Sequence, residues 1–179
     1  MINKFCKKPL WECTIKLAKV ATGAEKADLV IRNARLINVC THEIMENISV
    51  AITEGRIALV GNADHCIGPN TQVVDAENKY LAPAFMDGHI HIESSMLSVG
   101  EYAKAVVAHG TSGVFIDPHE ICNVLGLDGI RYMMEDAKRT PLKTMLTTPS
   151  CVPAVGGFED TGAKIDPEDI ALTMDFDSC

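Results

Sequence analysis

Asp87, His89, His91 and Glu93, spaced by two, are the densest run of ligand-forming side chains in the sequence. On an extended strand, alternate side chains share a face with Cα atoms roughly 6.5–7 Å apart. Imidazoles at i and i+2 can therefore approach one metal ion or two neighbouring ones. Neutral imidazole suits zinc, manganese or iron, so the chemistry in view is metal-assisted. H-x-H alone is a weak signal, since six histidines in 179 residues produce one by chance about one time in five. Position strengthens it. The pair falls where an apolar run, APAFMDGHIHI (82–92), gives out, and α/β folds place their sites at that end of a parallel strand.

A second polar knot, D-P-H-E, sets Asp117, His119 and Glu120 directly after the next apolar run, TSGVFID (111–117). Pro118 restricts the local backbone and would aim His119 and Glu120 across the same rim as His89 and His91. Such a rim could hold a metal and a proton shuttle. Taken alone, Asp117 and Glu120 serve equally well as caps of the following segment. Thr148 to Pro153 follow a third apolar run, LKTMLTT (142–148), and read as a rigid lining loop. Ser150 has no G-x-S-x-G frame, which disfavours a serine nucleophile. No G-x-x-x-x-G-K or other phosphate fingerprint occurs, so nucleotide triphosphate chemistry is unsupported.

The elements that must carry these residues change period along the chain. Leu10, Trp11, Ile15, Leu17 and Ala18 recur at helical spacing and predict a short helix ending near Gly23. LVIRNARLINV (29–39), NISVAIT (47–53), RIALVG (56–61) and TQVVDA (71–76) predict four strands, with a hairpin turn at Glu54-Gly55. From residue 80 the pattern is strand, helix, strand, helix. Ser98 and Glu101 form the signature of a capping box opening a helix that Gly110 closes. Leu127, Ile130, Met133, Met134 and Ala137 stripe the next helix, and Asp166 before Pro167 opens a third. That alternation predicts parallel strands with crossover helices.

Composition excludes other classes. The chain is 47% hydrophobic and 22% charged, a globular balance. Its longest charge-free stretch, Thr144 to Phe158, is 15 residues broken by prolines and glycines, short of the ~20 apolar residues that a membrane helix needs. Residues 1–35 hold 8 of 16 basic and 3 of 24 acidic side chains, leaving −13 on the rest. An acidic body disfavours binding to nucleic acid through its phosphates. The basic N-terminus, with Lys4, Lys7, Lys8, Lys16 and Lys19, reads as a lysine-edged amphipathic helix. Seven cysteines, from Cys6 to Cys179, contain no C-x-x-C pair and predict reduced thiols in a cytoplasmic protein. Cys122 and Cys151 lie beside the motifs and are assigned no role.

The longer strings carry a resemblance. YLAPAFMDGHIHIE (80–93) resembles the start of the metal-dependent amidohydrolase superfamily, in which a small β-domain leads into a barrel strand ending in H-x-H. DGHIHIESSM (87–96), DPHEICNVLG (117–126) and SCVPAV (150–155), with ADLVIRNARLINV (27–39), resemble the adenine deaminase family within it. Cyclic amidohydrolases, such as dihydroorotase or hydantoinase, share the H-x-H but do not usually carry E-S-S-M or the D-P-H-E block. The resemblance covers residues from about 10 to 170.

The resemblance implies conversion of adenine and water to hypoxanthine and ammonia, in purine salvage. It implies a binuclear divalent metal centre, manganese foremost, with iron or zinc as alternatives. His89 and His91 match the metal-binding pair. Glu93, His119 and Glu120 match other active-site positions and stand as catalytic candidates. Asp87 is expected to orient a ligand histidine from behind, and Ser94, Ser95, Asp117 and Ser150 to stand behind the ligands or line the substrate. The fold expected is α/β: a helix over 1–26, a β-rich half-sandwich over 27–82, and from 83 to 179 the first βα units of a TIM-like (β/α)8 barrel. A complete barrel takes ~250 residues, so the sequence reads as a truncated one. The expected partner is a small molecule, adenine, with no nucleic acid and no membrane; a homodimer is the candidate assembly. Two other readings stay open: a cyclic amidohydrolase hydrolysing a ring amide, and a non-catalytic metal-binding fragment.

Overall fold

The computed structural model of the protein describes residues 8–176. Lys4, Cys6, Lys7 and Cys179 lie outside the described residues. The chain divides after Pro83 into two units.

In the first unit, helix α1 (Leu10–Ala21) carries Glu12 in its first turn and Lys19 in its last, charges that suit the helix dipole. The spacing of Leu10, Trp11 and Ile15 predicts the buried stripe, yet the structure buries the other side. Cys13 and Val20, two turns apart, are inside, whereas Trp11 is 76% and Ile15 71% exposed. The buried side also brings the Lys16 ammonium to Glu54 at 2.9 Å. Periodicity locates a helix, but contact with the sheet decides which of its two apolar sides is covered.

Strands β1 (Leu29–Asn38), β2 (Glu43–Thr53), β3 (Arg56–Gly61), β4 (Gln72–Asp75) and β5 (Tyr80–Leu81) make one sheet. Its order is β3-β2-β1-β4, with β5 also pairing β1. β1, β2 and β3 run antiparallel in sequence, while β4 and β5 lie parallel to β1. Glu54 (φ +53°) and Gly55 (φ +69°) form the two-residue turn between β2 and β3, the left-handed pair whose twist matches a hairpin. Asp28 braces that turn, its Oδ2 accepting the Thr53 hydroxyl and the Glu54 N–H, each at 2.9 Å. β2 starts at Glu43, earlier than the hydrophobic pattern suggests, because Asn33 and Asn47, both at φ +56°, shift the β1–β2 register and break the alternation. Val20, Val30, Ala51, Ala63 and Cys66 form the core of this unit.

In the second unit, β6 (Phe85–Ile90), β7 (Thr111–Ile116) and β8 (Lys143–Leu146) form a parallel sheet in sequence order. Helix α2 (Val99–Val107) connects β6 to β7, and α3 (His119–Leu125) with α4 (Leu127–Ala137) connects β7 to β8. α5 (Pro167–Thr173) follows. This is the α/β alternation expected of the sequence. Ile92, Val99, Val114, Ile116, Cys122, Ile130, Met133 and Leu142 are among the buried side chains between helices and sheet.

The caps refine the reading. Ser98 accepts the Glu101 N–H, but the Glu101 carboxylate takes Lys104 at 2.5 Å instead of returning to the cap, so only half of the expected box forms. Asp166 and Asp169 make a complete one, with Pro167 in the first turn. Helix α3 is not anticipated by the pattern, which reads D-P-H-E as a turn. It ends at Gly126 (φ +58°), where a Cβ would stand 3.2 Å from that of Ala163. A left-handed, crowded position favours glycine and separates α3 from α4. Among the described residues no helix is long and apolar enough to cross a membrane.

Candidate metal centre

Three stretches of the second unit carry the candidate residues: the end of β6 with the turn after it, the end of β7 with the start of α3, and the loop after β8. His89 lies in β6 and His91 one residue past its end. Simple alternation does not hold here. Between Asp87 and Ile90 β6 advances three residues while β7 advances two, from Val114 to Ile116, so β6 carries a bulge. His91 nevertheless remains extended (φ −98°, ψ 97°), and the two Nε2 atoms converge to 3.2 Å. Glu93 departs from the row altogether, because Ile92–Ser95 winds into a 3-10 turn.

The His91 ring is held at its far side, with Nδ1 2.8 Å from the Asp117 carbonyl oxygen. That nitrogen donates, which leaves the Nε2 lone pair for a ligand. Two nitrogens 3.2 Å apart, each ~2.0–2.1 Å from a shared ion, subtend roughly 100° at it, close to a tetrahedral or octahedral angle. The Asp117 carboxylate joins them: Oδ2 is 3.7 Å from His89 Nε2, and the ligand atoms of His89, His91 and Asp117 all lie within 4.8 Å of one another. Asp117 Oδ1 is buried with no hydrogen-bond partner. A desolvated carboxylate oxygen without a donor is costly, and a cation would satisfy it. These three residues therefore fit a divalent metal.

Around them stand further titratable groups. His119 Nδ1 is 4.0 Å from Asp117 Oδ1, and its ring centroid is 6.2 Å from that of His91. Glu120 Oε2 is 3.4 Å from His91 Nδ1, and Oε1 accepts the Ser94 hydroxyl. Burial acts to raise the Glu120 carboxyl, but the Ser94 hydrogen bond, a backbone N–H and the charges of His91 and His119 hold it below the usual carboxylate range. Glu93 goes the other way. Burial pushes it up, with the Glu120 charge adding to that, against backbone hydrogen bonds that include the Ile121 N–H. One carboxylate is thus kept ionised and its neighbour is biased toward neutrality.

The remaining candidates divide. Asp87 Oδ1 accepts the His89 backbone N–H at 3.1 Å, bracing the main chain of that residue rather than its ring. Ser94 reaches Glu120, whereas Ser95 turns back to the Ile92 carbonyl at 2.6 Å and closes its own turn. Ser150 is exposed. The sequence reading places Asp117 behind the ligands or along the substrate; in the structure its carboxylate lies close to the two imidazoles, and the D-P-H-E block after a strand is the signal that marks it. Cys151, assigned nothing from the sequence, has Sγ 4.0 Å from both ring nitrogens of His119. Nothing in its local sequence distinguishes it from a packing cysteine.

Residues 80–175 match the amidohydrolase family. An adenine deaminase of Clostridium botulinum (strain ATCC 19397 / Type A) is 67% identical over 177 residues, covering 99% of this chain and 30% of that protein. Adenine deaminases of Moorella thermoacetica and Ruegeria pomeroyi are 50% and 49% identical over 168 residues, covering 94% and 93% of this chain and 28% of each. The chain spans about 30% of the length of the curated relatives it matches. The solved structure of a molinate hydrolase aligns with TM-score 0.47 and 20% identity over 69% of this chain and 30% of its own.

Proposed function

Because the chain belongs to the amidohydrolase family, matched over residues 80–175, we propose that it serves adenine deamination, releasing ammonia from adenine and leaving hypoxanthine. The observation that carries this reading is the convergence of His89 and His91 Nε2 with the Asp117 carboxylate, in a chain 67% identical to a curated adenine deaminase. The three parallel strands are, on this proposal, the opening strands of a (β/α)8 barrel, preceded in sequence by α1 and a β-rich unit over 27–82. The cofactor proposed is a binuclear divalent centre, manganese first, with iron or zinc as alternatives. The proposed setting is the cytoplasm, and the assembly a homodimer.

A divalent cation, when bound, would acidify a coordinated water toward a pKa of ~7 and so supply a nucleophile at neutral pH. The residues of the chain do the rest. His89 and His91 present Nε2, and the hydrogen bond from His91 Nδ1 to the Asp117 carbonyl keeps that ring in the ligating tautomer. Glu120, held ionised, accepts a proton at Oε2. His119, across the cluster, would return one to the departing amine.

The test is ammonia release from adenine with added manganese, beside a His89→Ala/His91→Ala double variant. Release by the parent and none by the variant supports the proposal. A ring-opening hydrolase would consume its substrate without ammonia. A second reading, metal binding without turnover, is favoured by the ligand count: a single group of three, among the described residues. It predicts metal uptake and no ammonia.

A further inference from the structure

The start of α3 carries two of the groups that the proposed reaction needs, His119 and Glu120, yet α3 lacks a cap of its own. Its N-cap position is Pro118, which makes no side-chain hydrogen bond to the first turn. A helix leaves its first N–H groups without intrahelical partners, and the usual remedy is a Ser, Thr, Asp or Asn oxygen on the N–H of the second or third residue. In α3 the third residue is Ile121, and its N–H donates to Glu93 Oε1 at 3.2 Å. Glu93 is 28 residues away in sequence, in the 3-10 turn that follows His91.

Two neighbours reach the same helix start from the same stretch. His91 Nδ1 bonds the Asp117 carbonyl at 2.8 Å, and the Ser94 hydroxyl bonds the Glu120 carboxylate. The segment 91–94 thus grips 117–121 at three points. Glu93 is the one of the three that grips backbone through a carboxylate. It does not share the cluster formed by His89, His91 and Asp117, and its second oxygen, Oε2, is buried with no hydrogen-bond partner. Its side-chain hydrogen bond goes to the backbone of α3, while the charges of Glu120 and His91 act on it from nearby.

We propose that Glu93 is a positioning residue that supplies the missing cap of α3 from outside the helix, and so fixes where His119 and Glu120 stand against the His89–His91 pair. The role rests on the metal-dependent reading of that site. The competing roles for the same side chain are a metal ligand or a proton donor, and either needs the carboxylate itself. A cap needs only an acceptor oxygen, which an amide also provides.

Glu93→Gln and Glu93→Ala separate these roles, with amide hydrogen exchange as the first readout. In Glu93→Ala the Ile121 amide is expected to exchange at least about tenfold faster, while Val114 and Ile116 on β7 keep their protection. Glu93→Gln is expected to restore the Ile121 protection. The His119 ring resonances should shift in the alanine variant and return in the glutamine one, and manganese affinity should survive in both. Ammonia release, where the parent shows it, follows the same rescue. Unchanged Ile121 exchange in Glu93→Ala overturns the proposal. So does a glutamine variant with normal Ile121 exchange that has lost manganese affinity or ammonia release. If the alanine variant fails to fold, Glu93→Gln alone still decides between cap and carboxylate. A parent that releases no ammonia counts against the deaminase reading, and leaves the exchange and resonance readouts to judge the cap.

Discussion

Cys122 offers a sharp test of whether α3 is seated as described. Its side chain is fully buried on the inner side of α3. Burial, with the charges of Asp117, Asp169 and Glu93 adding to it, pushes its thiol from 9.0 up to about 11. The thiolate is the reactive species, so two pH units mean about 100-fold less of it at pH 8 than for a thiol at the ordinary value. Occlusion in the core slows alkylation further, since reagent must wait for α3 to open. Iodoacetamide labelling at pH 8, followed by peptide mass spectrometry, compares Cys122 with the exposed Cys40 in the same sample. Cys122 is expected to label at least about 100-fold more slowly. The raised pKa also sets a sign for stability. Its contribution is complete below 9.0 and is lost as pH rises through about 11, so alkaline unfolding should be shallower in Cys122→Ala than in the parent. Labelling of Cys122 as fast as Cys40 would refute the packing of α3, and with it the placement of His119 and Glu120.

Asp28→Ala removes the acceptor of the fully buried Thr53 hydroxyl and of the Glu54 N–H. A urea melt should show a loss of about 1–3 kcal/mol, and Thr53→Val in the same background should return part of it. Asp166 caps α5, and the Asp169 N–H that it accepts holds its carboxyl below the ordinary range. A lowered carboxyl stabilises above its unfolded value and stops doing so as pH falls through its folded one. The protection factor of the Asp169 amide, observed exchange set against the intrinsic rate at the same pH, should therefore fall in acid, and Asp166→Ala should show a low protection factor at every pH.

Much of the fold is legible in the sequence, because the features concerned are local. The Glu54-Gly55 hairpin, the Asp166-Pro167 helix start and the three parallel strands each follow from a few adjacent residues. What escapes is set by tertiary contact. Trp11 and Ile15 sit on the exposed side of α1 because the sheet meets Cys13 and Val20. The row Asp87, His89, His91, Glu93 looks like one strand face, yet a bulge and a 3-10 turn break it, and the two imidazoles converge while Glu93 swings to α3. α3 itself is invisible to periodicity, since Pro118 gives it no side-chain cap and Glu93 provides one from a distance. The D-P-H-E block marks Asp117, but its approach to the two imidazoles follows from the pairing of β7 beside β6. Cys151 beside His119 likewise follows from β8 pairing β7, which no pattern around residue 151 encodes.

The claim on which the rest depends is that His89, His91 and Asp117 together hold a divalent cation. Calorimetric titration with manganese tests it directly, on the parent, His89→Ala/His91→Ala and Asp117→Asn, with urea melts confirming that each variant is folded. Saturable binding is expected of the parent, weakening of at least about tenfold in Asp117→Asn, and no measurable binding in the double variant. A folded double variant that binds manganese as the parent does would contradict it.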